Sequence, residues 1–169
     1  GGFTAKENKS GGMEAFGQQS LASVKMDEMR YNFEVNSLGP LKVSQALIDQ
    51  ISAPGGKIAI VSSLVGSIAD AGGGMYAYRA SKTAVNMIGK AMSCDLKDKG
   101  VSVGLIHPGM IATSFAGDDN NIPEPMKKMQ RSVEEGSKGV IEAIDGMTIE
   151  NTGSFWHGNY GDGVKTCPW

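Results

Sequence analysis

Two kinds of hydrophobic pattern alternate along the chain. Over residues 24–51, Met26, Met29, Phe33, Val43 and Leu47 recur at helical spacing, which predicts one long helix with those side chains on its buried stripe. Lys57-Ile58-Ala59-Ile60-Val61-Ser62-Ser63 is instead a short apolar run after Gly55-Gly56, the pattern of a buried parallel-type strand that ends in two serines. A loop over 64–75, closed by Gly72-Gly73-Gly74, leads to a second long helix predicted for 76–97 and stopped by Gly100. Residues 101–106 form the next apolar strand, broken by His107-Pro108-Gly109. After a polar loop over 110–130, Ser132-Val133-Glu134-Glu135 has the form of a capping box, opening a helix that ends near Gly146. Residues 154–157 read as a last short strand, and residues 1–20 as loop.

Strand, helix, strand, helix, strand is the order of an α/β protein with a doubly wound parallel sheet, here within a single domain over 1–169. Ligands of such sheets lie outside the carboxyl ends of the strands. Those ends carry Ser62-Ser63 and His107-Pro108-Gly109.

Composition narrows the classes without choosing among them. The 169 residues are 40% hydrophobic and 20% charged, with 16 Lys plus Arg against 18 Asp plus Glu and a net charge of −2. That balance gives no footprint for nucleic acid, and no apolar run approaches the length of a membrane-spanning helix. Cys94 and Cys167 stand far apart, so a disulfide framework is not expected. His107 and His157 lack companions at metal-ligand spacing, and Asp118-Asp119-Asn120-Asn121 reads as a solvated loop, so no metal site is expected. One glycosylation-type triplet, Asn8-Lys9-Ser10, stands in the first loop. Nothing else argues for secretion.

Chemistry enters with Tyr78 and Lys82. Their i, i+4 spacing puts both on one helix face, continued by Val85, Gly89, Met92 and Leu96. A phenol is a poor base at neutral pH. An ammonium about 4 Å away, worth roughly 4 kcal/mol at an effective dielectric near 20, would bring it towards the range a general acid or base needs. The plainer reading is a half-buried tyrosine beside a snorkelling lysine. Ser63 changes the weight, because its hydroxyl sits at the strand end and can hydrogen-bond the same carbonyl oxygen that Tyr78 would protonate; alone, a strand-end serine is an ordinary turn former. Asn36 falls on the apolar stripe of the first helix as its one polar member. Pro40, four residues on, has no N–H, so the helix should kink and free the Asn36 carbonyl for an ordered water; otherwise Asn36 only caps the break. Pro108-Gly109 makes a tight turn that a flat ligand can approach closely, with Thr113 in reach.

Taken in order, Asn36, Ser62-Ser63, Tyr78-Arg79-Ala80-Ser81-Lys82 and His107-Pro108-Gly109 resemble the short-chain dehydrogenase/reductases. Gly66-Ser67-Ile68-Ala69-Asp70, Met75-Tyr76-Ala77-Tyr78 and Pro168-Trp169 are similar, more narrowly, to the C-factor and sniffer-like carbonyl reductases. The resemblance covers roughly 24–169. It implies the C-terminal part of a Rossmann fold and an oxidoreductase that interconverts a carbonyl and an alcohol with NADP or NAD, NADP being favoured by the subgroup. Tyr78 would be the general acid or base, Lys82 would hold the ribose hydroxyls and lower the phenol pKa, and Ser63 (Ser62 less so) would polarise the carbonyl. Asn36 would hold a relay water. Pro108, Gly109, Ile111 and Thr113 would hold the nicotinamide, with Ser62, Tyr78 and Lys82 also lining the cofactor.

One departure is large: the family's T-G-x-x-x-G-x-G phosphate turn after a first strand does not occur in the sequence. The chain is therefore expected to be incomplete, lacking the N-terminal cofactor-binding half and leaving its first strand as an open apolar edge. The alternative is a non-catalytic relative with a structural role in a larger assembly. Expected partners are a small carbonyl or alcohol substrate and either further copies of the chain or a larger complex. The expected location is cytoplasm or an organelle lumen or stroma. Met75, Met110 and Phe115 suggest an apolar substrate pocket.

Overall fold

The computed structural model describes residues 19–51, 55–113, 124–158 and 163–169. The expectations for residues 1–18 and for 114–123 (the first loop with its Asn8 triplet, Phe115, and the acidic run at 118) lie outside the described residues. In chain order the elements are α1 (Met26–Phe33), a π-helical segment (Glu34–Leu38), α2 (Gly39–Ile51), β1 (Lys57–Val61), α3 (Tyr76–Leu96) and β2 (Ser102–His107). Then follow α4 (Glu124–Lys127), α5 (Val133–Asp145), β3 (Ser154–His157) and β4 (Lys165–Thr166).

Among the described residues the strands form one sheet in the order β1-β2-β3-β4. β1, β2 and β3 are parallel, with Val61 opposite Ile106 and His107 opposite His157, while β4 adds antiparallel to β3. The class expected from the pattern, a mixed α/β fold built on a parallel sheet, is the one observed. The short β4 was not foreseen, because two residues carry no period.

β2 is buried at Ser102 to Ile106 because helices cover both faces. On one face Val85 and Leu96 of α3 pack with Ile58, Ile60, Val101 and Val103, joined by Ile48, Ile51 and Met92. On the other, Val140, Ala143 and Ile144 of α5 pack with Ile106, Met147 and Trp156. Each fully buried aliphatic side chain of this core contributes about 2 kcal/mol. Gly104 is needed where the Trp156 ring crosses β2, since a Cβ there would lie 2.4 Å from it.

The helix over 24–51 is real but rotated relative to its expected stripe. Met26, Val43 and Leu47 are 56%, 59% and 46% exposed, whereas Asn32, Asn36, Ser37 and Ser44 are buried. The π segment is the cause. Gly39 N–H reaches back five residues to the Glu34 carbonyl, so the turn holds one residue too many. The inward face slips from 32 and 36 to 37, 41, 44, 48 and 51, which a constant 3.6 period cannot follow. The kink expected from Asn36 and Pro40 is therefore a π turn.

α5 keeps its capping box. Glu135 N–H donates to Ser132 Oγ at 3.1 Å, and Ser132 N–H to the Glu135 carboxylate at 2.9 Å. Its far end is closed by the Lys57 ammonium, which donates to the Ile144 and Asp145 carbonyls at 2.8 and 2.9 Å. Among the described residues β1 pairs only with β2, and its Val61 is 53% exposed.

Candidate active site

Three elements bring the candidate residues to one rim. β1 ends at Val61, and Ser62 N–H still donates to the Ile106 carbonyl of β2 at 2.8 Å, so the sheet fixes the backbone up to that point. Ser63 then leaves in an extended conformation and opens a 3-10 turn over Leu64–Gly66. α3 starts at Tyr76, preceded by Met75 at φ +53, a strained left-handed position for a side chain of that size. The Gln19 side chain accepts from Ala77 N–H at 3.0 Å and so caps this end of the helix.

Tyr78 and Lys82 lie on the buried stripe of α3, at 7% and 5% exposure. The Tyr78 phenol is hydrogen-bonded to the Ser63 side chain across the gap between helix and strand end. Lys82 Nζ lies 5.7 Å from the centre of the Tyr78 ring and donates to the Val61 carbonyl at 3.0 Å. The close approach of loop and helix depends on Gly66, where a Cβ would stand 2.8 Å from the Lys82 backbone and side chain. Thr83 Oγ1 donates to the Gly66 carbonyl at 2.9 Å, and Arg79 donates to the Val65 carbonyl at 3.3 Å.

The electrostatics differ from the simple pairing of an ammonium with a phenol. Burial pushes the Tyr78 phenol above its ordinary value, and the Ser63 hydrogen bond pulls part of the way back. Burial also holds the Lys82 amine down, to about 8. The expected lowering of the phenol by Lys82 is thus not what the protein environment produces. Both groups are desolvated, and the lysine is aimed at a backbone carbonyl.

Ser62 and Ser63 separate cleanly. Ser62 is 3% exposed, and its hydroxyl donates to the Asn86 side chain at 2.5 Å, tying the strand end to α3 from inside. Ser63, by contrast, is only half-buried. Asn36, 2% exposed, donates to Asn32 Oδ1 at 3.2 Å and to Ser81 Oγ at 3.1 Å, while its own Oδ1 is buried without a partner among the described residues. Ser81 in turn donates to the Tyr78 carbonyl at 2.8 Å, and Ser37 donates to the Ser81 carbonyl at 2.8 Å. Asn36 therefore adjoins the site through Ser81, which sequence reasoning passed over. Its position three residues after Tyr78 on a buried helix face was the available signal.

The second strand end supplies the other half of the rim. Gly109 takes φ +86, a left-handed conformation that suits glycine, so Pro108-Gly109 turns the backbone sharply out of β2. Ile111 bridges to Arg131, with Arg131 N–H donating to the Met110 carbonyl and Ala112 N–H to the Arg131 carbonyl, both at 2.8 Å. The Ile111 side chain points onto Gly136 of α5, where a Cβ would stand 2.1 Å from its Cδ1. Thr113 is exposed at the limit of the described loop. His107 meets His157 edge to face at 4.7 Å, and burial together with that neighbour holds its imidazole down to about 4.

The family model of the short chain dehydrogenases matches residues 9–123. This chain is a short-chain dehydrogenase/reductase. It is 41% identical over 138 residues to the 1-hydroxy-2-glutathionyl-2-methyl-3-butene dehydrogenase of Rhodococcus sp. (strain AD45), covering 81% of this chain and 58% of that one. It is 35% identical over 139 residues to the C-signal protein of Myxococcus xanthus, covering 81% and 78%. Its fold superposes on the NADPH-bound carbonyl reductase from chicken fatty liver with a TM-score of 0.75 at 23% identity, over 89% of this chain and 61% of that one. Carbonyl reductase Sniffer of D. melanogaster gives 0.75 at 24% identity, over 88% and 60%. The chain thus spans about three-fifths of the length of most of these proteins. The C-factor and sniffer-like resemblance read from the motifs agrees with both comparisons.

No described helix is long and apolar enough to cross a membrane. Among the described residues no group of three or more His, Cys, Asp and Glu side chains could hold a metal ion. Cys94 and Cys167 are both free thiols.

Proposed function

We propose that the protein interconverts a small carbonyl compound and its alcohol, with NADP favoured over NAD as the hydride carrier and Tyr78 as the proton donor or acceptor. The observation that carries this reading is the Ser63–Tyr78 hydrogen bond, which sets two hydroxyls side by side at a strand end with the Lys82 amine under the ring. NADPH is the molecule named with the carbonyl reductase fold match, and the Rhodococcus relative is named as a dehydrogenase.

The nicotinamide side of the cofactor suits the residues present. Lys82 is a buried amine with N–H groups beyond the one given to Val61, enough to hold ribose hydroxyls. The left-handed turn at Gly109 leaves the backbone of Pro108, Gly109 and Ile111 open to a flat ring, and these residues with Thr113 would hold the nicotinamide side of the cofactor. When bound, the nicotinamide supplies or accepts the hydride.

The chain's own side chains handle the oxygen and its proton. Ser63 hydrogen-bonds the carbonyl oxygen of the substrate, and Tyr78 donates its phenolic proton to the same oxygen as negative charge builds there. In the reverse direction the phenolate accepts that proton. The raised pKa keeps Tyr78 protonated, as a proton donor must be, but weakens it as an acid, and the Ser63 bond offsets part of the cost of forming the phenolate. Asn36, through Ser81, steadies the helix turn that carries Tyr78, and its unpartnered Oδ1 is a ready acceptor for a relay water. Ser62 holds the strand end in place through Asn86.

The reading includes association with further copies of the chain, supported by exposed Met26, Val43 and Leu47 on α1 and α2 and Met87 on α3. A purely structural subunit would have no use for the Ser63, Tyr78 and Lys82 arrangement. The test is carbonyl-dependent NADPH oxidation by the full-length protein over a panel of small ketones and aldehydes. Saturable turnover with at least one of them is expected, and binding of NADPH without turnover of any carbonyl or alcohol would favour the structural alternative.

A further inference from the structure

The loop that follows Ser63 is held from two sides, and only one of them is the helix that carries Tyr78. On the helix side, Thr83 and Arg79 bind the Gly66 and Val65 carbonyls. On the other side lies the segment that follows β4. Cys167 N–H donates to the Phe155 carbonyl at 2.7 Å, and the Cys167 side chain is buried with Phe155 and Leu105. Leu64, the residue after Ser63, packs into that same cluster. Two residues further on, the Trp169 backbone carbonyl accepts from Ala69 N–H at 2.9 Å and from Ser67 Oγ at 3.2 Å. Ser67 Oγ also accepts from Asp70 N–H at 3.2 Å, and Ser67 is 2% exposed. The Trp169 ring lies 5.6 Å from that of Phe155.

These contacts fix the loop at Leu64, the first residue of the 3-10 turn, and again at 67–70, just after it. Ser63 has no helix or strand of its own to set its rotation, since the ladder ends with the Ser62 N–H. We propose that Ser67 and Trp169 are positioning residues, and that the segment around Cys167–Trp169 clamps the loop so that the Ser63 hydroxyl stays in hydrogen-bond range of Tyr78. The clamp acts through backbone and packing and touches no reacting atom. It rests on the role given above to Ser63 and Tyr78. It adds that the β3–β4 end of the sheet, remote in sequence from the site, sets the orientation of one of its two hydroxyls.

A purely structural tail would alter stability alone, so the test needs a readout of the Ser63–Tyr78 pair. In the full-length protein, Ser67→Ala and Trp169→Ala are compared with the parent for kcat and KM of carbonyl reduction, for NADPH affinity, and for the pH at which reduction fails on the alkaline side. Loosening Ser63 removes a bond that lowers the phenol pKa, so the alkaline midpoint should move up. The expected result is a loss of about tenfold in kcat/KM carried mainly by kcat, with NADPH affinity unchanged and Trp169→Phe close to the parent. The clamp is overturned if both alanine variants keep the parent kcat/KM and midpoint while melting earlier. It is overturned equally if Ser67→Ala cannot fold, because the residue is then structural. The control is Tyr78→Phe: if that variant turns over normally, the role of the Ser63–Tyr78 pair itself fails, whatever the clamp variants do.

Discussion

The Lys82 ammonium lies 3.0 Å from the Val61 carbonyl, so the cation under the Tyr78 ring is anchored to the last residue of β1. Burial at this position holds its pKa down to about 8 from 10.5. Between those two values the unfolded chain binds a proton that the folded chain does not, so the stability of the parent should rise with pH across that window. At pH 7 the penalty is about 3 kcal/mol, offset in part by the bond to Val61, worth about 1 kcal/mol. Lys82→Met should therefore inactivate the protein yet leave it at least as stable at pH 7. Its advantage should shrink as pH rises from 8 towards 10, as read by urea unfolding at several pH values. A clearly less stable variant at pH 7 would show that the lysine is not under strain.

Ser63→Ala should reduce carbonyl reduction by about a hundredfold, because one of two donors to the developing oxyanion is lost. The same change removes the bond that lowers the Tyr78 pKa, so the alkaline limb of the profile should move to higher pH. Ser62→Ala acts differently. It breaks the bond to Asn86 and should lower the melting temperature, with a small effect on the rate at 25 °C. Steady-state rates and thermal melts of the two variants separate these outcomes.

Gly66→Ala places a methyl group 2.8 Å from the backbone of Lys82, where nothing can yield except the spacing of loop and helix. A cost of about 1–3 kcal/mol is expected, together with a loss of activity greater than destabilisation explains, because Ser63 moves with the turn. Equilibrium unfolding and kcat/KM on the same sample check this.

His107 should dominate the acid limb of stability. Its pKa is held down to about 4 from 6.5 by burial and by His157, so the unfolded chain binds the extra proton between those values. Stability is then present above pH 6.5 and lost as pH falls through 4, by about 3 kcal/mol. His107→Phe should flatten that loss in urea titrations between pH 4 and 7.

How much of this was legible in the sequence follows from periodicity. α3 keeps a strict 3.6 period from Tyr78 to Leu96, and its buried stripe was read correctly, as were the capping box at Ser132 and the alternation of strands and helices from β1 to β3. Met26, Val43 and Leu47 were misplaced because the π turn at Glu34–Leu38 shifts the register, and a hydrophobicity count has no means of registering one extra residue in a turn. Tyr78, Lys82 and Ser63 came together as their spacing and strand-end position required. The preference for Ser63 over Ser62 came from the family resemblance and not from the pattern, since adjacent serines on a strand point to opposite faces and only the partner, Asn86, shows that Ser62 is inside. The direction of the Tyr78 pKa was misjudged for a similar reason. Sequence shows the neighbouring charge, but the depth of burial is a property of the whole packed structure.

The central claim is that the Tyr78 hydroxyl moves the proton, and Tyr78→Phe in the full-length protein tests it most directly. The ring and its packing survive the change, and only the oxygen is removed. Carbonyl-dependent NADPH oxidation should fall by about a thousandfold, while NADPH affinity, measured by fluorescence titration, should stay within about twofold of the parent. Turnover within about tenfold of the parent would contradict the account.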